Sequence, residues 1–195
     1  MRCFVALDLP DALIERLAGI VRALAEAAPR ADVRWVEPEK LHVTLQFLGE
    51  VRDGEVDALV DALRAEAAAH VPFPVAVAGL GAFPGLRRAR VLWAGIATGL
   101  APLARVAGGV AHRLAPLGFA PEARPFRGHV TLARVRSPRG LGPLVDAVAR
   151  VPAEALGAWT AREIVLYRSR LRPTGSEYTA VARLPLGGPP VAEIK

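Results

Sequence analysis

The tetrapeptide His-Val-Thr-Leu occurs twice in the chain, at residues 42–45 and again at 129–132. Successive side chains of an extended strand point to opposite faces, so each copy places its histidine and threonine on one face and its valine and leucine on the other. Two imidazoles suit an in-line displacement at phosphorus, which needs a base beside the attacking oxygen and an acid beside the leaving oxygen. The threonine hydroxyls can donate hydrogen bonds to the phosphoryl oxygens, where negative charge grows in the transition state.

This repeated pattern makes His42, Thr44, His129 and Thr131 the candidate catalytic residues. A lone histidine on a strand is more often structural than catalytic, so the hypothesis depends on the pairing of the two copies. It requires that both copies face one cleft. The other two histidines of the chain lie in helical patterns with ordinary neighbours.

Strand and helix patterns alternate irregularly along the chain. Residues 2–8 predict a buried strand, and apolar residues at helical spacing predict a helix that begins after Pro10. Irregular alternation is typical of an α+β fold with largely antiparallel sheets rather than of repeated βαβ units. The further predicted strands are 33–36, 41–49, 71–83, 90–96, 129–135, 161–171 and 177–184, and the further predicted helices are 54–69, 100–117 and 141–149.

Length and composition indicate one folded domain. The chain has 195 residues, of which 52% are hydrophobic, so it has enough apolar side chains to bury a core. We expect a single domain over 1–195 with a loosely held tail from 185 to 195, where the sequence reads PLGGPPVAEIK. Cys3 is the single cysteine, and no apolar run reaches signal-peptide or membrane-spanning length, so we expect a cytoplasmic protein without a membrane segment.

The charge balance favours an anionic partner. The formal net charge is +6 at pH 7, and 23 of the 25 basic residues are arginine, whose planar guanidinium binds phosphate through two hydrogen bonds. Nucleic acid or a nucleotide fits this balance. A compositional bias toward arginine, alanine, glycine and proline explains the same excess without a ligand, and the affinity for RNA at low salt distinguishes the two interpretations.

Other catalytic chemistries lack their motifs. The chain has neither an H-E-x-x-H motif nor paired cysteines, so we expect no metal centre. It has no G-x-S-x-G motif for a serine nucleophile and no phosphate-binding P-loop. Neither of its two lysines, Lys40 and Lys195, lies in a setting that suggests nucleotidylation, so we expect no cofactor and no ATP-dependent joining of RNA.

The chain resembles the two-histidine (2H) phosphoesterase superfamily, and within it the RNA 2',3'-cyclic phosphodiesterases, also called 2'-5' RNA ligase-like proteins. The His-x-Thr-x motif of that family matches both tetrapeptides, and the similarity extends through VRWVEPEKLHVTLQFLGEV, RPFRGHVTLARVR and the segments RCFVALDLP, GAFPGLRRARVLWAGI and VLYRSRLRPTGSEYTAVARLPL. The resemblance implies a bilobal fold with pseudo-twofold symmetry, in which antiparallel sheets line a central cleft and helices lie outside. It also implies metal-independent hydrolysis of RNA 2',3'-cyclic phosphates to 2'-phosphates.

The resemblance also implies a role for each motif residue. His42 corresponds to the proton donor for the departing 3' oxygen, and His129 corresponds to the base that activates water. Thr44 and Thr131 correspond to phosphate ligands. Reasoning from the residues alone leaves the assignment of acid and base open, because the two tetrapeptides are identical.

Four residues near the motifs are further candidates for substrate binding. Arg134 and Phe47 resemble a family arginine and a family aromatic residue, but strict alternation points both side chains away from the histidine face. A phosphate role for Arg134 therefore needs a bulge or a reach around the end of the strand, and core packing is the alternative for Phe47. Phe126 and Arg127 precede the second histidine in a predicted loop, where they either contact substrate or cap the strand.

The expected substrate is an RNA with a 2',3'-cyclic phosphate end or a nucleoside 2',3'-cyclic phosphate, bound by a monomer. Weak, ATP-independent 2'-5' ligation by reversal of the same chemistry is a further expectation. Two alternatives stay open. One is a non-catalytic module that binds RNA ends, and the other is a phosphodiesterase that acts on a small cyclic nucleotide, because the motifs recognise only the phosphate.

Overall fold

The computed structural model describes residues 1–172 and 175–187. These residues form nine β-strands and four α-helices. The strands are β1 (Arg2–Asp8), β2 (Val33–Trp35), β3 (His42–Glu50), β4 (Phe73–Phe83), β5 (Val91–Thr98), β6 (His129–Val135), β7 (Ala155–Ala161), β8 (Glu163–Arg172) and β9 (Gly175–Pro185), and the helices are α1 (Asp11–Ala27), α2 (Val56–Ala68), α3 (Leu100–Leu114) and α4 (Leu141–Arg150).

All nine strands belong to one antiparallel sheet, and eight of them follow the order β7-β4-β5-β6-β3-β1-β8-β9. The strands that carry the two tetrapeptides, β3 and β6, are neighbours at its centre, and each is flanked on its outer side by three strands of its own half. This arrangement is the pseudo-twofold, bilobal organisation expected from the family resemblance. Strand β2 pairs with the far end of β6, on the side where β3 diverges from it.

The helices bury their apolar faces against the side of the sheet that carries the tetrapeptide valines. Helix α3 buries Leu103, Val106 and Val110 in the same cluster as Val43 and Val130. Helix α2 packs beside α3 and contributes its own buried leucines. In α4, Leu144 and Val148 belong to a second hydrophobic cluster next to β6. Burial of this apolar stripe holds the central strands in place.

The predicted α+β class is confirmed, and so are all of the predicted strands and helices, with differences of a few residues at their ends. One strand, β7, is absent from the prediction. Its sequence, ALGAWTA, is rich in alanine and glycine, which have low strand propensity. It forms a strand because it pairs with β4 at the edge of the sheet, a contact between segments about eighty residues apart.

The segment after β9 remains attached to the domain through residue 187. Leu186 is buried, its amide donates to the Arg162 carbonyl at 2.7 Å, and the Gly187 amide donates to the Ala67 carbonyl at 3.2 Å. Residues 186 and 187 of the tail predicted over 185–195 are therefore held against the domain, and 188–195 lie outside the described residues. Within the described part of the chain, no helix is long and apolar enough to cross a membrane.

Candidate active site

The two tetrapeptides meet at the centre of the sheet. Val43 of β3 lies directly opposite Val130 of β6, and both valines are fully buried beneath the helices. In an antiparallel pair, this register places each histidine beside the threonine of the other tetrapeptide, on the face opposite the valines. The four side chains brought together on that surface, all partly buried, are His42, Thr44, His129 and Thr131.

Both imidazoles are held by the backbone in the same way. Nδ1 of His42 donates to the Lys40 carbonyl at 2.7 Å, and Nδ1 of His129 donates to the Arg127 carbonyl at 2.7 Å. A carbonyl only accepts a hydrogen bond, so each Nδ1 carries a proton and each Nε2 is free to exchange one with a ligand. In the first motif, Nε2 contacts the Thr44 hydroxyl 2.9 Å away.

Each tetrapeptide is followed by a bulge. The register between β1 and β3 shifts between Val5 and Ala6, and the register between β5 and β6 shifts between Leu92 and Trp93. A bulge places two successive residues on the same side of a strand, and the pairs that are buried together here are Leu45 with Gln46 and Leu132 with Ala133. Strict alternation is therefore wrong beyond the fourth residue of each motif.

As a result of the bulges, Phe47 and Arg134 return to the histidine face. Phe47 is 53% exposed, so the core packing that alternation favoured is wrong. Its ring lies 6.0 Å from the ring of Phe4, which stacks on His42 at 4.8 Å. Arg134 is exposed and follows Thr131 beyond the bulge, so the condition for its contact with a phosphate is met. The two residues occupy equivalent positions in the two halves.

Aromatic rings surround both imidazoles. Phe4 stacks on one side of His42, and the ring of Tyr178 meets it edge-on at 5.7 Å. Phe83 meets His129 edge-on at 5.1 Å. These rings fix the orientation of the imidazoles and exclude water from part of their surface.

A hydrogen-bonded acidic residue lies beside the first histidine. Asp8 is opposite His42 in the pairing of β1 with β3. One carboxylate oxygen of Asp8 accepts from the Tyr167 hydroxyl at 2.7 Å, and the other accepts from Arg183 at 2.8 Å. Burial, and after it the hydrogen bond to Asp8, raises the pKa of Tyr167 to about 12.

The pKa of His42 is shifted downward in the free protein. Burial lowers this pKa below the ordinary value of 6.5, because the charged ring loses solvation. The hydrogen bond to the Lys40 carbonyl and the charge of Asp8 oppose this effect, whereas the charge of His129 adds to it. The two imidazoles are thus close enough to interact electrostatically.

Two adjacent cavities lie near the first motif, and one of them opens beside His42. The smaller, of about 270 Å³, is lined by His42 together with Asp8 and Tyr167. The larger, of about 650 Å³, lies between the turn at 37–40 and the hairpin of β8 and β9. Tyr178 lines both cavities, so they are adjacent, and neither is lined by His129. The space available to a ligand therefore extends from His42 toward the hairpin.

The loop before the second motif positions that motif from its backbone. Arg127 has an exposed side chain and contributes its carbonyl to His129. Phe126 is partly buried and packs against the main core cluster. The contacts of Phe126 therefore favour support of the strand over contact with substrate as the role of this loop.

Several residues of the site were missed by sequence reasoning. They are the rings around the histidines and the acidic residue beside His42, namely Phe4, Phe83, Tyr178 and Asp8. Only Asp8 carried a signal, since it is the one acidic residue in a strand that is apolar between Arg2 and Asp8. Among the described residues, no group of three or more histidine, cysteine, aspartate or glutamate side chains is arranged to hold a metal ion.

Comparison with known proteins identifies close similarity to one family. The chain matches the model of the LigT-like phosphoesterase family over residues 7–93 and 97–178. An RNA 2',3'-cyclic phosphodiesterase of Methanothermobacter thermautotrophicus is 33% identical over 181 residues, which are 92% of this chain and 95% of that protein. The enzyme of the same name from Archaeoglobus fulgidus is 34% identical over 178 residues, covering 91% and 96% of the two chains.

Solved structures show the same fold. A crystal structure of a Thermus thermophilus protein superposes with a TM-score of 0.77 at 30% identity, covering 96% of this chain and 99% of that one. The structure of Escherichia coli LigT in complex with 3'-AMP superposes with a TM-score of 0.72 at 27% identity, covering 95% and 97%. The family resemblance drawn from the motifs is confirmed by these matches.

Proposed function

Because the chain belongs to the LigT-like phosphoesterase family and is therefore an enzyme, we propose that it hydrolyses RNA 2',3'-cyclic phosphate ends to 2'-phosphates, without a metal ion, through acid–base catalysis by His42 and His129. One observation carries the proposal. Two imidazoles with the same backbone hydrogen bond lie on one surface, each beside a threonine hydroxyl. The names of the relatives support the choice of substrate.

The reaction follows from this geometry. Nε2 of His129 takes a proton from water as the water oxygen forms a bond to phosphorus. The bond between phosphorus and the 3' oxygen breaks, and Nε2 of His42 gives its proton to that oxygen. The products are a 2'-phosphate and a free 3'-hydroxyl. The hydroxyls of Thr44 and Thr131 donate to the non-bridging oxygens, where the charge increases.

The lowered pKa of His42 is compatible with its role as the acid. A proton donor with a low pKa is a strong acid, but it must carry its proton when the substrate is bound. The negative phosphate beside the ring favours the protonated form, and the Asp8 charge acts in the same direction. We therefore expect substrate binding to load His42 with the proton that it later transfers.

The residues at the two ends of the surface extend substrate binding. Phe47 offers an exposed ring on which a base can stack, and Arg134 offers a guanidinium to a phosphate. Residues 1–195 act as one monomeric, cytoplasmic phosphodiesterase domain in this proposal. A 5'-hydroxyl in place of water would give slow, ATP-independent 2'-5' ligation by the same route.

The test is turnover of each nucleoside 2',3'-cyclic phosphate and of a short RNA with a cyclic end, with the product isomer identified by NMR or chromatography. We expect 2'-phosphate, insensitivity to EDTA, and a loss of about 10² to 10⁴ in kcat for His42→Ala and for His129→Ala. His112→Ala, at an exposed position on α3, is the control. Tight RNA binding without turnover would instead identify a binding module, and full activity of either histidine variant would exclude the mechanism.

A further inference from the structure

Two arginines face each other across the junction of the two halves. Arg34 of β2 lies directly opposite Arg134 of β6. Like charges at such a position destabilise a sheet. Neither guanidinium has a carboxylate within 4 Å in the part of the chain that the structure describes. Among the described residues, the two positive charges are therefore adjacent and neither forms an ion pair.

Both side chains lie on the histidine face. Cross-strand partners share a face, and Arg134 returns to the histidine face after the bulge that follows Thr131. The residues on either side of Arg34, namely Val33 and Trp35, pack against the second core cluster on the opposite face. Strand β2 thus presents its arginine to the cleft because its neighbours are anchored in the core.

The Arg34 side chain reaches across to the β8–β9 hairpin. Its Nη2 atom lies 2.6 Å from the position that a Cβ would take on Gly175, and the Nζ atom of Lys40 and the Oε1 atom of Glu37, which form an ion pair with each other, lie 3.7 and 3.8 Å from the same position. Gly175 and Lys40 both line the larger cavity. The Arg34 side chain therefore reaches the edge of the larger cavity on its hairpin side.

The register fixes the order of groups along the cleft. Arg134 lies three residues beyond Thr131, which is beside His42, so the arginine pair is about 10 Å from that point at the usual rise per residue. Phe47 follows Thr44 in the opposite direction along the sheet, with its ring 6.0 Å from that of Phe4, which stacks on His42, so the ring remains within reach of the base of a nucleotide on the His42 side. The arginine pair is thus on the side of the proposed acid.

This order determines where the rest of an RNA must run. In an in-line reaction the water is on the His129 side of phosphorus, and the 3' oxygen with its ribose is on the His42 side. The 5' carbon of that ribose leads to the preceding phosphodiester, which therefore extends toward Arg34 and Arg134. Two guanidinium groups that form no ion pair with any described residue are suited to such a singly charged phosphate.

We propose that Arg34 and Arg134 together bind the phosphodiester that precedes the terminal nucleotide, so that oligoribonucleotide ends are preferred over mononucleotides. This inference rests on the proposed function, because the direction of the chain follows from the role of His42 as the acid. A nucleoside 2',3'-cyclic phosphate lacks that phosphodiester. Arg34 should therefore contribute to kcat/KM for an RNA substrate but not to kcat/KM for the mononucleotide.

The experiment compares wild type with Arg34→Gln on two substrates, cytidine 2',3'-cyclic phosphate and a tetraribonucleotide that ends in the same group. We expect kcat/KM for the tetranucleotide to fall about 10- to 100-fold, as for the loss of a hydrogen bond to a charged group, and kcat/KM for the mononucleotide to stay within about twofold. The dependence of log KM on log salt for the tetranucleotide should become shallower by about 0.7. Arg105→Gln, which removes an exposed arginine from α3, is the charge-matched control and should change neither substrate.

Equal loss on both substrates would overturn the inference, because it would show a general effect of Arg34 on the fold or on the reacting phosphate. No loss on either would overturn it as well, and so would an equal loss in the Arg105→Gln control. Binding of a tetranucleotide 2'-phosphate, measured by fluorescence anisotropy at two salt concentrations, tests the arginine pair independently of turnover. If wild type hydrolysed neither substrate while Arg34→Gln still weakened this binding, the proposed function would fail and the phosphate site would stand.

Discussion

Replacement of Thr44 by valine tests whether its hydroxyl acts on the reacting phosphate. The Thr44 hydroxyl lies 2.9 Å from Nε2 of His42 and faces the cleft, whereas the residues on either side, Val43 and Leu45, face the core. Valine keeps the branched shape and the strand preference of threonine but cannot donate a hydrogen bond. The change therefore removes one polar group and leaves the packing almost unaltered.

The expected size follows from the type of hydrogen bond that is lost. In the free protein the bond joins two neutral groups, and such bonds contribute about 0.5–1.5 kcal/mol. In the transition state the hydroxyl donates to a charged phosphoryl oxygen, and such bonds contribute about 1.5–3 kcal/mol. We expect kcat/KM of Thr44→Val to fall about 10- to 150-fold, while the free energy of unfolding changes by less than about 1 kcal/mol.

The assay is steady-state hydrolysis of a nucleoside 2',3'-cyclic phosphate, with urea unfolding of the same preparations. Thr44→Ser retains the hydroxyl and should recover most of the activity. Thr160→Val, an exposed position on β7, is the matched control and should have wild-type activity. The pseudo-twofold relation predicts a loss of the same order for Thr131→Val. Wild-type activity of Thr44→Val, or a folded Thr44→Ser variant as slow as the valine variant, would refute the assignment of the hydroxyl to the phosphate.

Three further predictions concern the surroundings of this group. Asp8→Asn removes a charge that raises the pKa of His42, so His42 should lose its proton at a lower pH. The decrease of kcat/KM at high pH, which reports deprotonation of the acid, should therefore move to lower pH. An unchanged pH profile would contradict the role of Asp8. Phe47→Ala removes an exposed stacking surface, so KM should rise about 5- to 150-fold while kcat and the free energy of unfolding stay nearly constant. An unaltered KM would exclude stacking of a base on this ring. Val130→Ala removes two methyl groups from the fully buried centre of the sheet. It should lower the free energy of unfolding, measured by urea titration, by about 2 kcal/mol. A decrease of less than about 0.5 kcal/mol would contradict tight packing at this position.

The order of secondary-structure elements was predictable because most of them carry strong local signals. Apolar residues at helical spacing identified α1 to α4, and alternating or continuous apolar runs identified the long strands. Strand β7 has no such signal, since only Leu156 and Trp159 among its seven residues are large and apolar. Its conformation depends on pairing with β4, a distant segment whose position only the complete fold provides.

The catalytic candidates were also predictable, since the parity of a strand places the histidine and threonine of each tetrapeptide on one face. The face on which the residues after each tetrapeptide lie was not predictable. Phe47 and Arg134 reach that face only because a bulge in each central strand reverses the parity, and the bulges arise from pairing with β1 and β5. Arg34 carried no local signal, because its importance comes from its position opposite Arg134.

The amino-acid sequence by itself thus determined the reactive groups and the face of the strand on which each lies, because side-chain alternation is a local property of the backbone. The tertiary structure decided that Val43 meets Val130 and that the two imidazoles share one surface. It also decided which neighbours join them there. Those outcomes depend on strand register, which is set by the packing of the whole sheet against its helices rather than by any short segment.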